Sequence, residues 1–187
     1  TEKTLHPPNP PPPEVLRGFS AGSTSQLDRR SWLEVLDPKH RYAKNLRSYF
    51  EAWDLMGKPG DSFLEWLHNE DCMELESCPR SVLDKETVHY CREDERDQFA
   101  LIIENGRIRR RRSNDYAETG PQGWIFVLRD GVLYANEKKT VSPRFHHSSF
   151  FAGECVEVAG LVVIEQGCIT KLFPHSGHYR PNDDDVQ

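Results

Sequence analysis

The chain reads as an α+β fold, with a mainly helical N-terminal half packed on an antiparallel sheet built from successive β-hairpins. Two observations predict it. Up to about residue 67, apolar and aromatic residues recur at three- and four-residue spacing, the period of a helix face. From residue 99 onward, short alternating segments are joined by the turn pairs Asn105-Gly106, Asp130-Gly131 and Gln166-Gly167. Hairpins in succession imply an antiparallel sheet, and the helices supply the layer that covers one of its faces.

Taken in order, residues 1–13 carry Pro7, Pro8 and Pro10 to Pro13, and residues 18–26 are rich in Gly and Ser. Residues 1–30 therefore read as a disordered leader. Ser31 with Glu34 has the spacing of a capping box, and the helix it opens must end near Asp37-Pro38. A second helix from about Lys39 to Leu55 places Tyr42, Leu46, Tyr49, Phe50 and Trp53 on one stripe, and Gly57, Pro59 and Gly60 stop it. Asp61 or Ser62 caps a short helix containing Phe63, Leu64, Trp66 and Leu67. Thr87 to Cys91 is a short strand candidate. The hairpins then run Phe99–Ile103 with Arg107–Arg110, Gly123–Leu128 with Val132–Ala135, and Val156–Ile164 with Cys168–Phe173. The result is one domain over residues 31–181, followed by an acidic tail, 182–187.

Composition excludes several classes. The net charge of −6 does not suit bulk electrostatic capture of nucleic acid. No apolar run approaches the roughly 20 residues that span a bilayer. The cysteines Cys72, Cys78, Cys91, Cys155 and Cys168 are odd in number and scattered, which points to free thiols in a reducing compartment, cytoplasmic or nuclear. Cys72, Cys78 and Cys91 lack the second close pair of a zinc knuckle, and Asp183 to Asp185 lack the alternating ligands of an EF-hand, so no metal site is expected. The run Arg109 to Arg112, with Arg107, reads either as a phosphate-binding edge or localisation signal, or as charges protecting a strand edge.

Two segments near the C-terminus concentrate chemistry. Phe145 to Gly153 contains His146, His147, Ser148 and Ser149. The second contains His175, Ser176, His178, Tyr179 and Arg180, so half of the eight histidines lie in the two. Pairing outward from Gln166-Gly167 brings both to the open end of the last hairpin. These nine residues are the candidate ligand-binding set. Within it, His147 or His178 is the candidate general base, Ser149 or Tyr179 the hydroxyl partner, and Arg180 an anion clamp. Facing histidines with Glu154 or Glu157 offer metal ligation. The competing reading is a structural network in which the same groups satisfy buried backbone. No nucleophile-elbow or zinc-helix motif decides between them, and no cofactor is assigned.

With those residues in view, the chain resembles the shared domain of the plant IQM proteins, an IQ-motif-containing calmodulin-binding family. The likeness runs from Trp32 to Pro181. It rests on Trp32-Leu33-Glu34, Asp37-Pro38, His40-Arg41-Tyr42, Asn45-Leu46, Cys78-Pro79-Arg80, Trp124 to Val127 and Leu133 to Ala135, and most closely on Phe145 to Gly153 and Ser176 to Pro181. The resemblance implies a link to calcium or stress signalling through protein partners. The family reaches calmodulin through an IQ helix, and residues 1–30 contain no Ile, so calmodulin by that route is not expected; the helix from His40 to Trp53 is a weaker calmodulin candidate. The expected function is an IQM-like interaction domain, and its rival is a small hydrolase or group-transfer enzyme acting on an anionic substrate.

Overall fold

The computed structural model describes residues 26–27, 31–69, 73–174 and 179–180. The helical half comes first: α1 (Trp32–Leu36), α2 (Ala43–Leu55), α3 (Phe63–His68), α4 (Arg80–Lys85) and the short α5 (Glu93–Arg96). Leu46, Tyr49 and Trp53 of α2 pack with Leu33, Phe63, Leu67, Cys78 and Leu83 into one buried cluster. Ser62 caps α3 as expected, its Oγ accepting from the Glu65 N–H at 3.2 Å.

Two helical expectations need correction. Ser31 stands at the N-cap of α1 but makes no side-chain cap. Glu34 turns inward to other partners instead, so the capping-box spacing is present and unused. The second helix begins at Ala43 rather than near Lys39. His40 has a φ of 48°, and Arg41 forms an isolated bridge with Thr87, so the backbone leaves α geometry between Asp37 and Tyr42.

The three hairpins form as read. Strands β2 (Ala100–Glu104) and β3 (Arg107–Arg110) pair, as do β4 (Trp124–Arg129) with β5 (Val132–Asn136), and β6 (Val158–Glu165) with β7 (Cys168–Phe173). Each turn has both central residues at positive φ, as a two-residue primed turn demands: Asn105-Gly106, Asp130-Gly131 and Gln166-Gly167. All six strands make one antiparallel sheet in the order β3-β2-β5-β4-β6-β7. It curls until its ends meet, with the Ile108 N–H donating to the Gly167 carbonyl at 2.8 Å and the Gly167 N–H to that of Ala117 at 3.0 Å.

Curling gives the sheet two buried faces. Ile125 and Val127 point to a cluster with Phe145, Phe150, Phe151, Val156 and Ala159, against which α1 residues Val35 and Leu36 also pack. Phe126, between them, points to the other side with Leu101, Ile108, Ala117, Ala135, Val162 and Ile164. Thr87 to Cys91 is not a sheet strand. It is a connecting segment tied by single bridges, Thr87 to Arg41 and Val88 to Arg144. A separate pair joins β1 (Gln26–Leu27) to β8 (Tyr179–Arg180), so two residues of the expected leader lie in a strand pair. Among the described residues no helix is long and apolar enough to cross a membrane.

Candidate functional site

The first histidine segment is a closed, buried turn. His147–Ser149 form a 3-10 turn after His146. The His146 N–H donates to Ser149 Oγ at 2.9 Å, and the Ser149 N–H returns a bond to the His146 carbonyl at 3.0 Å. The chain then folds back through Ala152 and Gly153, at φ of 51° and 80°, so that the Gly153 N–H reaches the Ser148 carbonyl at 3.0 Å. His147 Nε2 lies 2.7 Å from the Gly160 carbonyl of β6. His146 meets the Tyr42 ring edge-on at 6.1 Å. His146, His147, Ser148 and Ser149 are all buried, at 3%, 7%, 0% and 0% exposure, so none of the four presents its side chain to solvent. Ser148 Oγ has no hydrogen-bond partner among the described residues.

The aromatic residues that follow the turn anchor it. Phe150 stands edge-on to Phe145 at 5.0 Å and Phe151 to Tyr134 at 5.0 Å, while the guanidinium groups of Arg96 and Arg129 lie over the Phe151 ring at 4.5 and 4.6 Å. Glu154, one of the two carboxylates considered for metal ligation, is held by Arg129 at 2.8 Å. His175, Ser176 and His178 lie outside the described residues, so the expected meeting of the two segments does too. Tyr179 and Arg180 are placed by their backbone alone, in register with Leu27 and Gln26.

The turn also fixes the segment before α5. The Cys91 N–H donates to the Ser149 carbonyl and the His89 N–H to the Arg144 carbonyl, both at 2.8 Å. Along this segment His89 Nε2 meets Glu95 Oε2 at 3.0 Å, and the Cys91 sulfur lies within 4.8 Å of both groups. The Arg92 backbone N–H, and then the His89 side chain, hold the Glu95 carboxyl below its usual range; burial, with Glu95 nearby, pushes the Cys91 thiol up to about 12. Cys91 belongs to the sheet-side core and Cys78 to the helical one, which separates the thiols weighed as a zinc knuckle.

A second polar centre lies where α1 and α2 meet the segment 84–90, and composition gave no hint of it. Glu34 is 1% exposed. Its Oε2 accepts from the Ala43 N–H at 3.0 Å and its Oε1 from the Tyr90 hydroxyl at 2.9 Å. Burial dominates those bonds and pushes the carboxyl up to about 7. His40 Nδ1 faces the Glu34 carbonyl at 3.0 Å, and its ring stacks on Tyr90 at 4.3 Å. Beside it, Arg41 and Asp37 are both fully buried. Arg41 Nε donates to Asp37 Oδ2 at 2.7 Å, Nη2 to Oδ1 at 3.2 Å, and Nη1 to Asp84 at 3.0 Å. Burial alone would raise the Asp37 carboxyl, but the bonds from Arg41 outweigh it and hold the carboxyl low. Arg41 Nη2 also faces His68 Nε2 at 3.1 Å. The sequence signal was Asp37 and Arg41 four apart on either side of a helix break, a pattern read only for its boundary.

The arginine run is engaged with aromatic rings and carboxylates. Arg109 and Arg107 stack over Tyr116 at 4.1 and 5.3 Å, Arg110 lies over Trp124 at 4.5 Å, and Arg109 and Arg111 pair with Glu104 and Asp97. In α2, Leu46, Tyr49 and Trp53, the face a calmodulin target would present, are committed to the core.

Residues 95–186 match the family model described as the IQ motif-containing protein middle domain. In Arabidopsis thaliana, IQ domain-containing protein IQM3 is 36% identical over 92% of this chain and 39% of its own length. IQM2 is 35% identical over 91% of this chain and 29% of its own length, and IQM1 35% over 93% and 36%. The chain thus spans about a third of the length of these relatives. No solved structure matches it. On the family model and on these relatives together, the chain resembles the shared domain of the IQM family.

Proposed function

We propose that this is an IQM-like interaction domain, linked to calcium or stress signalling through protein partners in the cytoplasm or nucleus. The observation that carries this reading is the exposed strand β7. All six of its residues are exposed, and Ile169, Leu172 and Phe173 are about half exposed. Among the described residues no strand lies beyond it in the sheet. A strand edge with apolar side chains suits an extended segment of a partner protein, added as a further strand.

The burial of His146 to Ser149 supports the same reading, because groups sealed in a turn brace a sheet rather than meet substrate. In this proposal the motif supports β6, and β6 in turn positions β7. The enzymatic alternative asks His147 to accept a proton at its other nitrogen, Nδ1, on a ring that is buried and tied through Nε2 to the Gly160 carbonyl, out of reach of a substrate in solution. His175, Ser176, His178, Tyr179 and Arg180 keep their proposed ligand-binding role as an anion-holding set.

The test is a binding titration of the purified domain against calmodulin, with and without calcium, together with cross-linking in extracts of its own cells. Both use wild type, Leu172→Lys/Phe173→Lys and His147→Ala. The reading expects a partner that the strand variant loses while remaining folded. A partner retained by the strand variant overturns the β7 assignment. Failure of the folded domain to cross-link any protein overturns the interaction reading itself.

A further inference from the structure

We infer that His89, Cys91 and Glu95 form a binding site for a divalent transition-metal ion of the zinc class. Their ligand atoms all lie within 4.8 Å of one another, with His89 Nε2 and Glu95 Oε2 already 3.0 Å apart. One imidazole nitrogen, one sulfur and one carboxylate oxygen make a borderline donor set that suits zinc, with bonds of about 2.0–2.3 Å in tetrahedral array. The His89 and Glu95 side chains are 42% and 25% exposed, so small rotations bring them to that spacing and leave the fourth position open to water.

The site is carried by braced backbone. The His89 and Cys91 N–H groups are fixed to the Arg144 and Ser149 carbonyls, the first just before the buried turn and the second within it. Between them, Tyr90 is fixed by its hydroxyl to Glu34. His89 and Cys91 lie two apart in the connecting segment and Glu95 in the first turn of α5, and all three bring a ligand atom to the same place. The His89 ring stacks near Phe145 at 6.2 Å, which limits its rotation. The nearest cations do not fill the position. Arg96 donates to the Phe150 carbonyl at 2.9 Å, and Arg92 reaches Glu95 only through its far oxygen, at 3.6 Å. On binding, the Cys91 S–H bond breaks, its proton leaves to solvent and the sulfur donates its electron pair to the metal; no oxidant or reductant is needed. The Arg92 N–H, which donates to Glu95 Oε2 at 3.2 Å, helps to orient the carboxylate.

Sequence patterns built on cysteine pairs miss such a site, because it has one thiol. Cobalt(II) is the probe, since a thiolate ligand gives it a sulfur-to-metal charge-transfer band and a tetrahedral site intensifies its visible bands. The expected result is one equivalent bound with both signals, displaced by zinc, and unchanged in Cys168→Ala, whose thiol is exposed. Cys91→Ser should abolish the charge-transfer band. His89→Gln and Glu95→Gln, at partly exposed positions that tolerate substitution, should each weaken binding by at least about ten-fold. A charge-transfer band that survives Cys91→Ser, or no band in wild type, overturns the site. If Cys91→Ser does not fold, the two partly exposed variants decide alone, and unchanged cobalt affinity in both overturns it equally.

Discussion

His147 Nε2 stands 2.7 Å from the carbonyl oxygen of Gly160, and a carbonyl can only accept. The Nε2 proton is therefore fixed on the ring, and a histidine that looks catalytic in sequence stitches the 145–153 turn to β6. His147→Ala leaves that carbonyl without this donor and opens a gap beside the sheet. The variant should lose about 2–3 kcal/mol of stability in urea unfolding. A loss below about 0.5 kcal/mol would show that the bond does not brace β6.

Gly160 supplies a second check on the same contact region. A Cβ built there overlaps the Phe173 carbonyl oxygen and crowds Pro174, both backbone neighbours that cannot swing aside. Gly160→Ala should therefore cost more than about 3 kcal/mol or abolish folding. Gly106, in the exposed β2/β3 turn, meets nothing within 4 Å of an added Cβ. Gly106→Ala pays only for its φ of 74° and should cost about 1 kcal/mol. Thermal melts of the two variants side by side measure the difference.

Glu34 makes stability depend on pH in an unusual direction. Its carboxyl is raised from 4.5 to about 7, so between those values the folded protein holds a proton that the unfolded chain releases. Its contribution is fully present below about 4.5 and is lost as pH rises through 7, by roughly 3 kcal/mol at most. Glu34→Gln keeps an acceptor for the Ala43 N–H and offers a donor to the Tyr90 oxygen, matching the protonated acid. Urea midpoints at pH 5, 6, 7 and 8 should fall across the series for wild type and stay nearly level for the variant. Parallel curves would remove Glu34 as their cause.

Asp37 behaves in the opposite sense. Its folded pKa is depressed, so its contribution is present above the unfolded carboxyl value and disappears as pH falls through the lower folded one. Asp37→Asn leaves the fully buried Arg41 with the half-exposed Asp84 as its one charged partner among the described residues. Breaking a buried pair in this way costs about 3–5 kcal/mol. Equilibrium unfolding at neutral pH measures that cost. A variant as stable as wild type would mean that Arg41 finds water or Asp84 sufficient.

Much of the fold was legible because the signals that carry it are local. Asn105-Gly106, Asp130-Gly131 and Gln166-Gly167 each demand positive φ at two successive positions, and all three turns form where the sequence put them. Leu46, Tyr49 and Trp53 mark the buried face of α2 by spacing alone. Thr87 to Cys91 misled because its β-branched and aromatic content is that of a strand, while its backbone partners are Arg41 and Arg144, remote in sequence. Ser31 and Glu34 misled because an unused cap spacing looks identical to a used one until the carboxylate's other partners, Ala43 and Tyr90, are known.

The sequence by itself determined the class, the three hairpins and their turns, the core stripe of α2 and the likeness to the IQM domain, since each follows from residues within a few positions of one another. Tertiary structure alone decided the burial of His146 to Ser149, the inward turn of Glu34, the pairing of Arg41 with Asp37 and Asp84, and the approach of His89, Cys91 and Glu95. Whether a polar side chain braces, titrates or binds depends on its dielectric surroundings and on partners remote in sequence, as Tyr90 is to Glu34, 56 positions away. That information exists only once the sheet has curled and the 145–153 turn has closed against it.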